Sequence, residues 1–185
     1  MDGGNTDKTE AHSVKLEYRL KNPEHTKRLG ETLARVLKPG DILLMSGDLG
    51  AGKTTLTKHI AAGLGIDERQ VTSPSFAIIH EHTGGRYPLI HADLYRLGPC
   101  ADLTETGLEE YMYGDNIVII EWAEYMENAP VERAIKVHLR LVDEHTREVI
   151  LESSSTTGDT RLADTEKHLS GKNNPAACCH FLTLS

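Results

Sequence analysis

A glycine-rich segment in the first third of the chain has the residue types and spacing of a phosphate-binding loop. Residues 47–54 read GDLGAGKT and match the pattern GxxxxGK[ST] in full. Glycine allows the positive φ angles and close backbone approach that a concave loop of inward-pointing N–H groups requires. The motif predicts that Lys53 reaches the β- and γ-phosphates of a nucleotide and that Thr54 places its hydroxyl on Mg²⁺. The residues assigned to the nucleotide here are Gly47, Asp48, Leu49, Gly50, Ala51, Gly52, Lys53, Thr54 and Thr55.

Two acidic residues that end apolar segments are candidates for metal binding and for water activation. Glu121 directly follows the apolar run 117–120, and Asp93 follows the segment 89–92. Ligands of an open parallel sheet bind at the carboxyl ends of its strands. The sequence therefore predicts that Glu121 coordinates Mg²⁺, directly or through water, and that Asp93 orients the attacking water or binds Mg²⁺ through water. The alternatives are a solvated strand end for Glu121 and a capping role for Asp93.

A hydroxyl-rich loop and a tryptophan complete the candidate site. Thr72, Ser73 and Ser75 lie in the segment TSPSF, which its proline stiffens. Such a loop can sense a γ-phosphate and move when the phosphate leaves, although taken alone it is also an ordinary turn. Trp122 directly follows Glu121 and either packs in the core or borders the nucleotide.

Alternating strand-like and helix-like patterns place these residues in an α/β fold. A short apolar strand over 41–45 precedes the glycine-rich loop, a helix over 53–64 follows it, and 116–120 predicts a second buried strand. The pattern favours a three-layer fold like that of P-loop NTPases, with a mostly parallel central sheet and antiparallel edge hairpins. The other predicted elements are a strand over 14–20, a helix from 23 to about 37, a hairpin of 76–81 with 87–91, a weak helix over 104–111 and a hairpin of 135–141 with 147–151.

Length and composition indicate one domain with a tail at each end. The chain has 185 residues, and its polar ends predict a flexible tail over 1–13 and a disordered tail over 153–185, leaving 14–152 as the folded domain. No apolar run is long enough to span a membrane, and three cysteines without CxxC spacing favour the reducing cytoplasm. The net charge of −8 argues against direct nucleic-acid binding, so contact with RNA is expected to go through a partner.

Four segments in series resemble a known family. GDLGAGKTT at 47–55, TSPSF at 72–76, HADLYRL at 91–97 and IEWAE at 120–124 closely resemble the bacterial TsaE (YjeE) family in order and spacing. The resemblance covers roughly residues 16–151, and the four motifs together are far more specific than the glycine-rich loop alone.

The resemblance implies a small ATPase of tRNA threonylcarbamoyladenosine biosynthesis. Such a protein acts with the TsaB and TsaD proteins to modify the adenosine next to the anticodon, using ATP and Mg²⁺. The family pattern implies phosphate and Mg²⁺ binding at Lys53 and Thr54, hydrolysis at Asp93, and Mg²⁺ binding at Glu121, with Trp122 also in the site. Ser75 stands where the family more often has threonine and retains the hydroxyl.

Two other functions use the same residues. Besides Lys53 the sequence offers no obvious arginine finger, since Arg86 and Arg96 are isolated, which favours an ATPase that is slow alone and stimulated by partners. A small-molecule kinase would need an acceptor pocket and an arginine-bearing lid, for which the roughly 70 residues between the loop and Glu121 leave little room. A nucleotide switch with negligible hydrolysis differs only in whether Asp93 positions water.

Overall fold

The computed structural model describes residues 14–74, 77–99, 103, 106–126, 134–153 and 155–170. In these ranges the strands are β1 (Val14–Leu20), β2 (Ile42–Ser46), β3 (Ile79–His82), β4 (Leu89–Asp93), β5 (Ile117–Glu121), β6 (Ala134–Leu141) and β7 (Arg147–Ser153). The helices are α1 (Pro23–Val36), α2 (Lys53–Gly63), α3 (Leu108–Met112) and α4 (Thr156–Ser170). The predicted tail over 1–13 lies outside the described residues.

All of these strands form one sheet in the order β1-β7-β6-β2-β5-β4-β3. The four central strands β6, β2, β5 and β4 are parallel, whereas β3 at one edge and β7 and β1 at the other pair antiparallel. The predicted α/β class, with its mostly parallel centre and antiparallel edges, is confirmed. The strand register places Glu121 beside Met45 on one side and beside Asp93 on the other. The carboxyl ends of β2, β5 and β4 therefore lie next to one another.

Helices cover the two faces of the sheet and make it the middle of three layers. Because side chains alternate along a strand, Leu43 and Ile119 face α1, α2 and α4, whereas Leu44 and Ile120 face α3. Strands covered on both faces read as the continuous apolar runs seen in the sequence. Among the described helices, none combines the length and the apolar character that crossing a membrane requires.

Local sequence signals set the helix boundaries near the site. The Asn22 side chain accepts a hydrogen bond from the His25 backbone N–H at 3.0 Å, and Pro23 occupies the first turn of α1. α2 begins at Lys53, directly after Gly52 in the left-handed conformation at φ +105°. α3 is shorter than the predicted segment 104–111, because it begins at Leu108 after Gly107 at φ +71°.

The C-terminal segment corrects the predicted domain boundary. The sequence predicts a disordered tail from residue 153, but β7 extends to Ser153 and α4 follows it. Leu162 and Leu169, seven residues apart on one helix face, are buried against the rest of the core. Arg161 Nε donates to Asp41 Oδ2 at 2.7 Å. Because α4 has so few large apolar residues, its sequence gives only a weak helical period. Tertiary packing stabilises the helix instead. Residues 171–185 of the predicted tail lie outside the described residues.

Replacing Leu162 with alanine should show that α4 is part of the folded domain. Leu162 is fully buried, and truncation of a buried leucine lowers the free energy of unfolding by about 2–5 kcal/mol. Urea denaturation measures the change. Lys167→Ala, at an exposed position of the same helix, is the control and should change stability little. Equal, small effects of the two variants would mean that α4 does not contribute to the core.

Candidate functional site

A cavity of about 380 Å³ lies where β2, β4 and β5 end. It brings together most of the predicted site residues and one that was not predicted, Tyr95. Its lining consists of Leu49, Gly50, Gly52, Lys53, Thr54, Thr55, Ser73, Asp93, Tyr95, Glu121 and Trp122. The cavity therefore joins the glycine-rich loop to both predicted carboxylates.

The remaining predicted residues lie around this cavity or outside the described chain. Gly47 and Asp48 direct backbone carbonyls at Lys53, and Ala51 is buried on the far side of the loop, where it lines a second cavity. Thr72 is exposed and is not in the cavity wall. Ser75 lies outside the described residues.

Gly47 fixes the start of the loop by a close backbone contact. Its φ is +129°, and a Cβ atom on this residue would lie 2.0 Å from the Leu139 carbonyl oxygen of β6. Its N–H donates to Glu124 Oε1 at 3.3 Å. Only glycine satisfies both the backbone conformation and this contact, so the loop leaves β2 along one defined path.

Gly47→Ala should be much more disruptive than Gly50→Ala. The alanine methyl group at 47 would overlap a backbone carbonyl that no rotamer change can move, so we expect a loss of about 2 kcal/mol or more of unfolding free energy. Gly50 also has positive φ, at +80°, but has nothing within 4 Å of a Cβ position, so its variant should lose about 1 kcal/mol. Denaturant titration compares the two, and equal losses would contradict the steric argument.

Lys53 is the first residue of α2, and its ammonium group is held against the loop. Nζ donates to the carbonyl oxygens of Gly47 and, at 3.1 Å, of Asp48. The same nitrogen lies 3.7 Å from the centroid of the Trp122 ring, within range of a cation–π interaction. The ammonium group thus lies between the loop backbone and an aromatic wall of the cavity.

Burial and nearby charges have opposite effects on the pKa of Lys53. Burial lowers the pKa of the Lys53 ammonium group, because removing a cation from water disfavours the charged form. Nearby carboxylates act in the other direction and favour the charged form; they belong to Glu124, Glu121, Asp93 and Asp48. The same carboxylates would repel an anionic ligand, so such a ligand would need further positive charge beside Lys53.

Glu121 is almost completely buried and joins β5 to α2. Its Oε2 atom accepts from the Thr54 hydroxyl at 2.7 Å, and its Oε1 atom accepts from the Thr57 hydroxyl at 3.1 Å. His91 Nε2 of β4 lies 2.7 Å from the same Oε1 atom. The solvated strand end considered for Glu121 is therefore excluded, because the carboxylate is 1% exposed.

Asp93 has both the turn contact and the cavity position that the sequence suggested. Its Oδ1 atom accepts from the Tyr95 backbone N–H at 3.0 Å, which is a capping contact, and its Oδ2 atom accepts from the Ser73 hydroxyl. The side chain also lines the cavity beside Glu121. The Ser73 contact connects the hydroxyl-rich loop directly to a candidate catalytic carboxylate.

Trp122 both packs and borders the cavity. Its φ of +60° is uncommon for a residue other than glycine and turns the chain sharply after β5. The ring lies 4.8 Å from the ring centroid of Tyr95 and stacks on Tyr125 at 5.6 Å. The packing role of Trp122 is thus confirmed, whereas a position beside the nucleotide stays a prediction for a ring that lines the cavity.

Besides Tyr95, three polar side chains of the site are not predicted by the sequence, and the periodicity of their elements contains a signal for two of them. Thr57 lies three residues after Thr54 on one helix face, and His91 lies two residues before Asp93 on the same strand face. Glu124, which contacts the Gly47 N–H, lies in the 3₁₀ turn Ala123–Tyr125 after β5. Side-chain spacing relative to the recognised residues would have indicated the first two.

A second cavity of about 240 Å³ adjoins the first across the glycine-rich loop. Both are lined by Gly50, Gly52 and Thr55. The far wall comes from the start of α1 and from the β6–β7 hairpin, through Asn22, Pro23, Thr26, Leu139, Glu144, His145 and Arg147. A ligand lying over the loop can therefore extend into this second space.

The fold and the site together define an α/β protein of the P-loop type, with a GxxxxGK[ST] loop at the carboxyl end of a central parallel strand. The family model described as "Threonylcarbamoyl adenosine biosynthesis protein TsaE" matches residues 20–149. The chain therefore belongs to the TsaE family of tRNA threonylcarbamoyladenosine biosynthesis, which confirms the resemblance of the four motifs. α4 lies beyond the matched residues.

Individual relatives agree with this assignment. The chain is 41% identical over 134 residues to the tRNA threonylcarbamoyladenosine biosynthesis protein TsaE of Bacillus subtilis, covering 72% of this chain and 83% of the relative. The TsaE protein of Nostoc is 44% identical over 133 residues, covering 70% of this chain and 80% of the relative. The crystal structure of Bacillus subtilis YdiB is similar with a TM-score of 0.70 and 35% identity, covering 85% of this chain and 97% of that chain.

Proposed function

We propose that this protein is a cytoplasmic, Mg²⁺-dependent ATPase that supports threonylcarbamoyl transfer to the adenosine next to the anticodon of tRNA, acting with TsaB and TsaD. Membership of the TsaE family supports the pathway. The observation that best supports an ATPase activity is the 2.7 Å contact between the Thr54 hydroxyl and Glu121 Oε2, beside the Lys53 ammonium group. A hydroxyl, a carboxylate and a lysine at the foot of such a loop are suited to a metal-bound triphosphate.

The donor set fits Mg²⁺, which prefers oxygen ligands and is usually held by one or two protein groups together with substrate phosphates. Thr54 Oγ1 and Glu121 Oε2 would hold the ion. When bound, it supplies positive charge that neutralises the developing charge on the phosphates. Lys53 would exchange its loop carbonyl contacts for phosphate oxygens, and the loop N–H groups together with the start of α2 would bind the same anion.

Asp93 is proposed to orient the attacking water. Its two oxygens are held by the Tyr95 N–H and by the Ser73 hydroxyl, so the carboxylate has a fixed direction in the cavity wall. A carboxylate oriented in this way can accept a hydrogen bond from water and set its position relative to the γ-phosphate. Because Ser73 belongs to the hydroxyl-rich loop, a displacement of that loop would remove one of the two contacts that orient the Asp93 carboxylate.

The charges around the cavity support the proposal that partners stimulate hydrolysis. Of the described residues that line it, none is an arginine, and the Arg86 guanidinium donates to the Ala34 carbonyl oxygen instead. Phosphoryl transfer in P-loop proteins is strongly accelerated by an arginine that reaches the transition state, supplied within the chain or by a partner. We therefore propose slow hydrolysis by this chain alone and faster hydrolysis with TsaB and TsaD.

The second cavity is proposed to take the ribose and base of ATP. It adjoins the phosphate position at Thr55 and lies on the β6 side of the loop, away from both carboxylates. Its walls combine apolar surface from Leu20 and Leu139 with polar groups from Asn22 and Arg147, the composition that small-molecule sites generally have.

ATP hydrolysis by the purified full chain, measured with Mg²⁺ and then with TsaB and TsaD added, tests this proposal. We expect a slow basal rate that the two partners raise. A rate that the partners leave unchanged would contradict the partnership. Transfer of the γ-phosphate to a nucleoside in preference to water would indicate a kinase. An Asp93→Ala variant that binds ATP and retains full biological activity without hydrolysis would indicate a nucleotide switch.

A further inference from the structure

A buried histidine that the proposed chemistry does not use lies directly against Glu121. His91 belongs to β4, is fully buried, and places Nε2 2.7 Å from Glu121 Oε1. Register explains the contact: β4 pairs His91 with Ile119 and Asp93 with Glu121, so the imidazole reaches diagonally to the next position on the same face of β5. Two central strands of the sheet thus hold this pair.

The environment of the imidazole determines where its proton lies. The other ring nitrogen, Nδ1, is buried and has no hydrogen-bond partner among the described residues. A proton on Nδ1 would be a buried donor without an acceptor, and the Nε2 lone pair would then face a carboxylate oxygen. The arrangement therefore favours a proton on Nε2, which donates to Glu121 Oε1.

The hydrogen bonds of Glu121 divide its two oxygens into different roles. Oε1 accepts from both His91 and Thr57, which engage it from β4 and α2. Oε2 accepts from the Thr54 hydroxyl and faces the cavity side of that helix. The Thr57 hydroxyl has one proton and also lies 3.1 Å from the Lys53 carbonyl oxygen, so the shorter His91 contact is the main restraint that keeps Oε2 beside Thr54 Oγ1.

We propose that His91 is a positioning residue whose Nε2–H fixes the Glu121 carboxylate so that Oε2 and the Thr54 hydroxyl together present two oxygens to a divalent cation. The inference rests on the proposed function, because it assumes that this pair holds Mg²⁺. Groups that hydrogen-bond to a metal-binding carboxylate typically change metal affinity or activity about 10–100-fold when they are removed. Through its hydrogen bond to Glu121, His91 sets the affinity for the metal.

Two substitutions separate the hydrogen bond from the volume of the ring. His91→Gln keeps a donor close to the position of Nε2, whereas His91→Leu removes the donor and keeps an apolar side chain of similar size. Mg²⁺ is titrated into each protein in the presence of ADP, and binding is followed by the fluorescence of Trp122, the single tryptophan of the chain. His91→Leu should raise the Mg²⁺ concentration at half response about 10-fold or more, with ADP affinity without Mg²⁺ unchanged. His91→Gln should restore most of the response.

The control is His80→Leu, which replaces the residue paired with His91 on the neighbouring strand β3 and should leave the Mg²⁺ response as in the wild type. If His91→Leu does not fold, His91→Asn serves instead, because its shorter amide does not reach Glu121. The ¹⁵N shifts of the wild-type imidazole give a second readout that needs no variant, and we expect the proton on Nε2.

Three outcomes overturn the inference. A wild-type Mg²⁺ response in His91→Leu would show that the hydrogen bond does not position the carboxylate. A ring that carries its proton on Nδ1 and none on Nε2 would lack the donor that the inference requires. In both cases the wild-type protein still responds to Mg²⁺ with ADP, so the proposed function stands. A wild-type protein that shows no such response would instead overturn the Mg²⁺ site itself and this inference with it.

Discussion

Lys53→Ala is expected to abolish measurable ATP hydrolysis, lowering kcat/KM by at least about 10²–10³-fold, the range seen when one preorganised group that stabilises transition-state charge is removed. The Lys53 ammonium group is the cation that lines the cavity beside Asp93 and Glu121 among the described residues. Without it, the phosphates would face two carboxylates with one compensating charge fewer. ATP affinity should fall as well, because in the proposed complex the same group also binds the ground-state phosphates.

Lys58→Ala is the matched control for this variant. Lys58 lies on the same helix α2 but does not line either cavity, so kinetics and nucleotide affinity should remain those of the wild type. Steady-state hydrolysis and calorimetric titration with ATP measure the two quantities, and thermal unfolding checks that both variants are folded. Hydrolysis by Lys53→Ala at the rate of Lys58→Ala would remove the glycine-rich loop from the proposed chemistry.

Glu121→Gln should remove the Mg²⁺ dependence of hydrolysis and lower the rate by about two orders of magnitude, since the proposed function then loses a charged metal ligand to a neutral amide of the same shape. The amide oxygen can still accept one of the hydrogen bonds that Glu121 now receives from Thr54, Thr57 and His91. The variant should therefore fold and bind ATP without Mg²⁺. A Mg²⁺ titration of the hydrolysis rate measures the effect.

Glu109→Gln provides the comparison for Glu121→Gln, because it makes the same chemical change at an exposed position of α3. Its Mg²⁺ titration should overlay that of the wild type. If both variants retained the wild-type curve, the proposal that Glu121 binds Mg²⁺ would be wrong. The buried carboxylate would then have only a structural role in joining β5 to α2.

The parts of the fold that the sequence predicts best are those with strong local signals. The glycine-rich loop, the strands β2 and β5 and the helix α1 with its Asn22 cap all have patterns that depend on a few adjacent residues. Placement of Asp93 beside Glu121 also follows, because both end parallel strands and such ends share one edge of the sheet.

The parts that were missed depend on contacts between distant segments. α4 is held by the burial of Leu162 and by the ion pair of Arg161 with Asp41, a residue 120 positions earlier in the chain. The contact of His91 with Glu121 spans 30 positions and needs the register of β4 against β5, which no local pattern gives. Propensity and periodicity describe one element at a time, whereas these contacts require the assembled sheet.

The hydrogen bonds between Glu121 and α2 connect the site to the hydrophobic interior of the protein. Thr57 is fully buried, and its hydroxyl contacts both Glu121 and the Met45 sulfur, so the wall of the cavity is also part of the hydrophobic interior. A ligand that binds only the folded chain stabilises it by RT ln(1 + [L]/Kd). Because the interior and the site share these atoms, the protection should extend beyond the loop: with Mg²⁺ and ADP, backbone amides of β5 and α2 should exchange their hydrogens with solvent more slowly, in step with a rise in Tm.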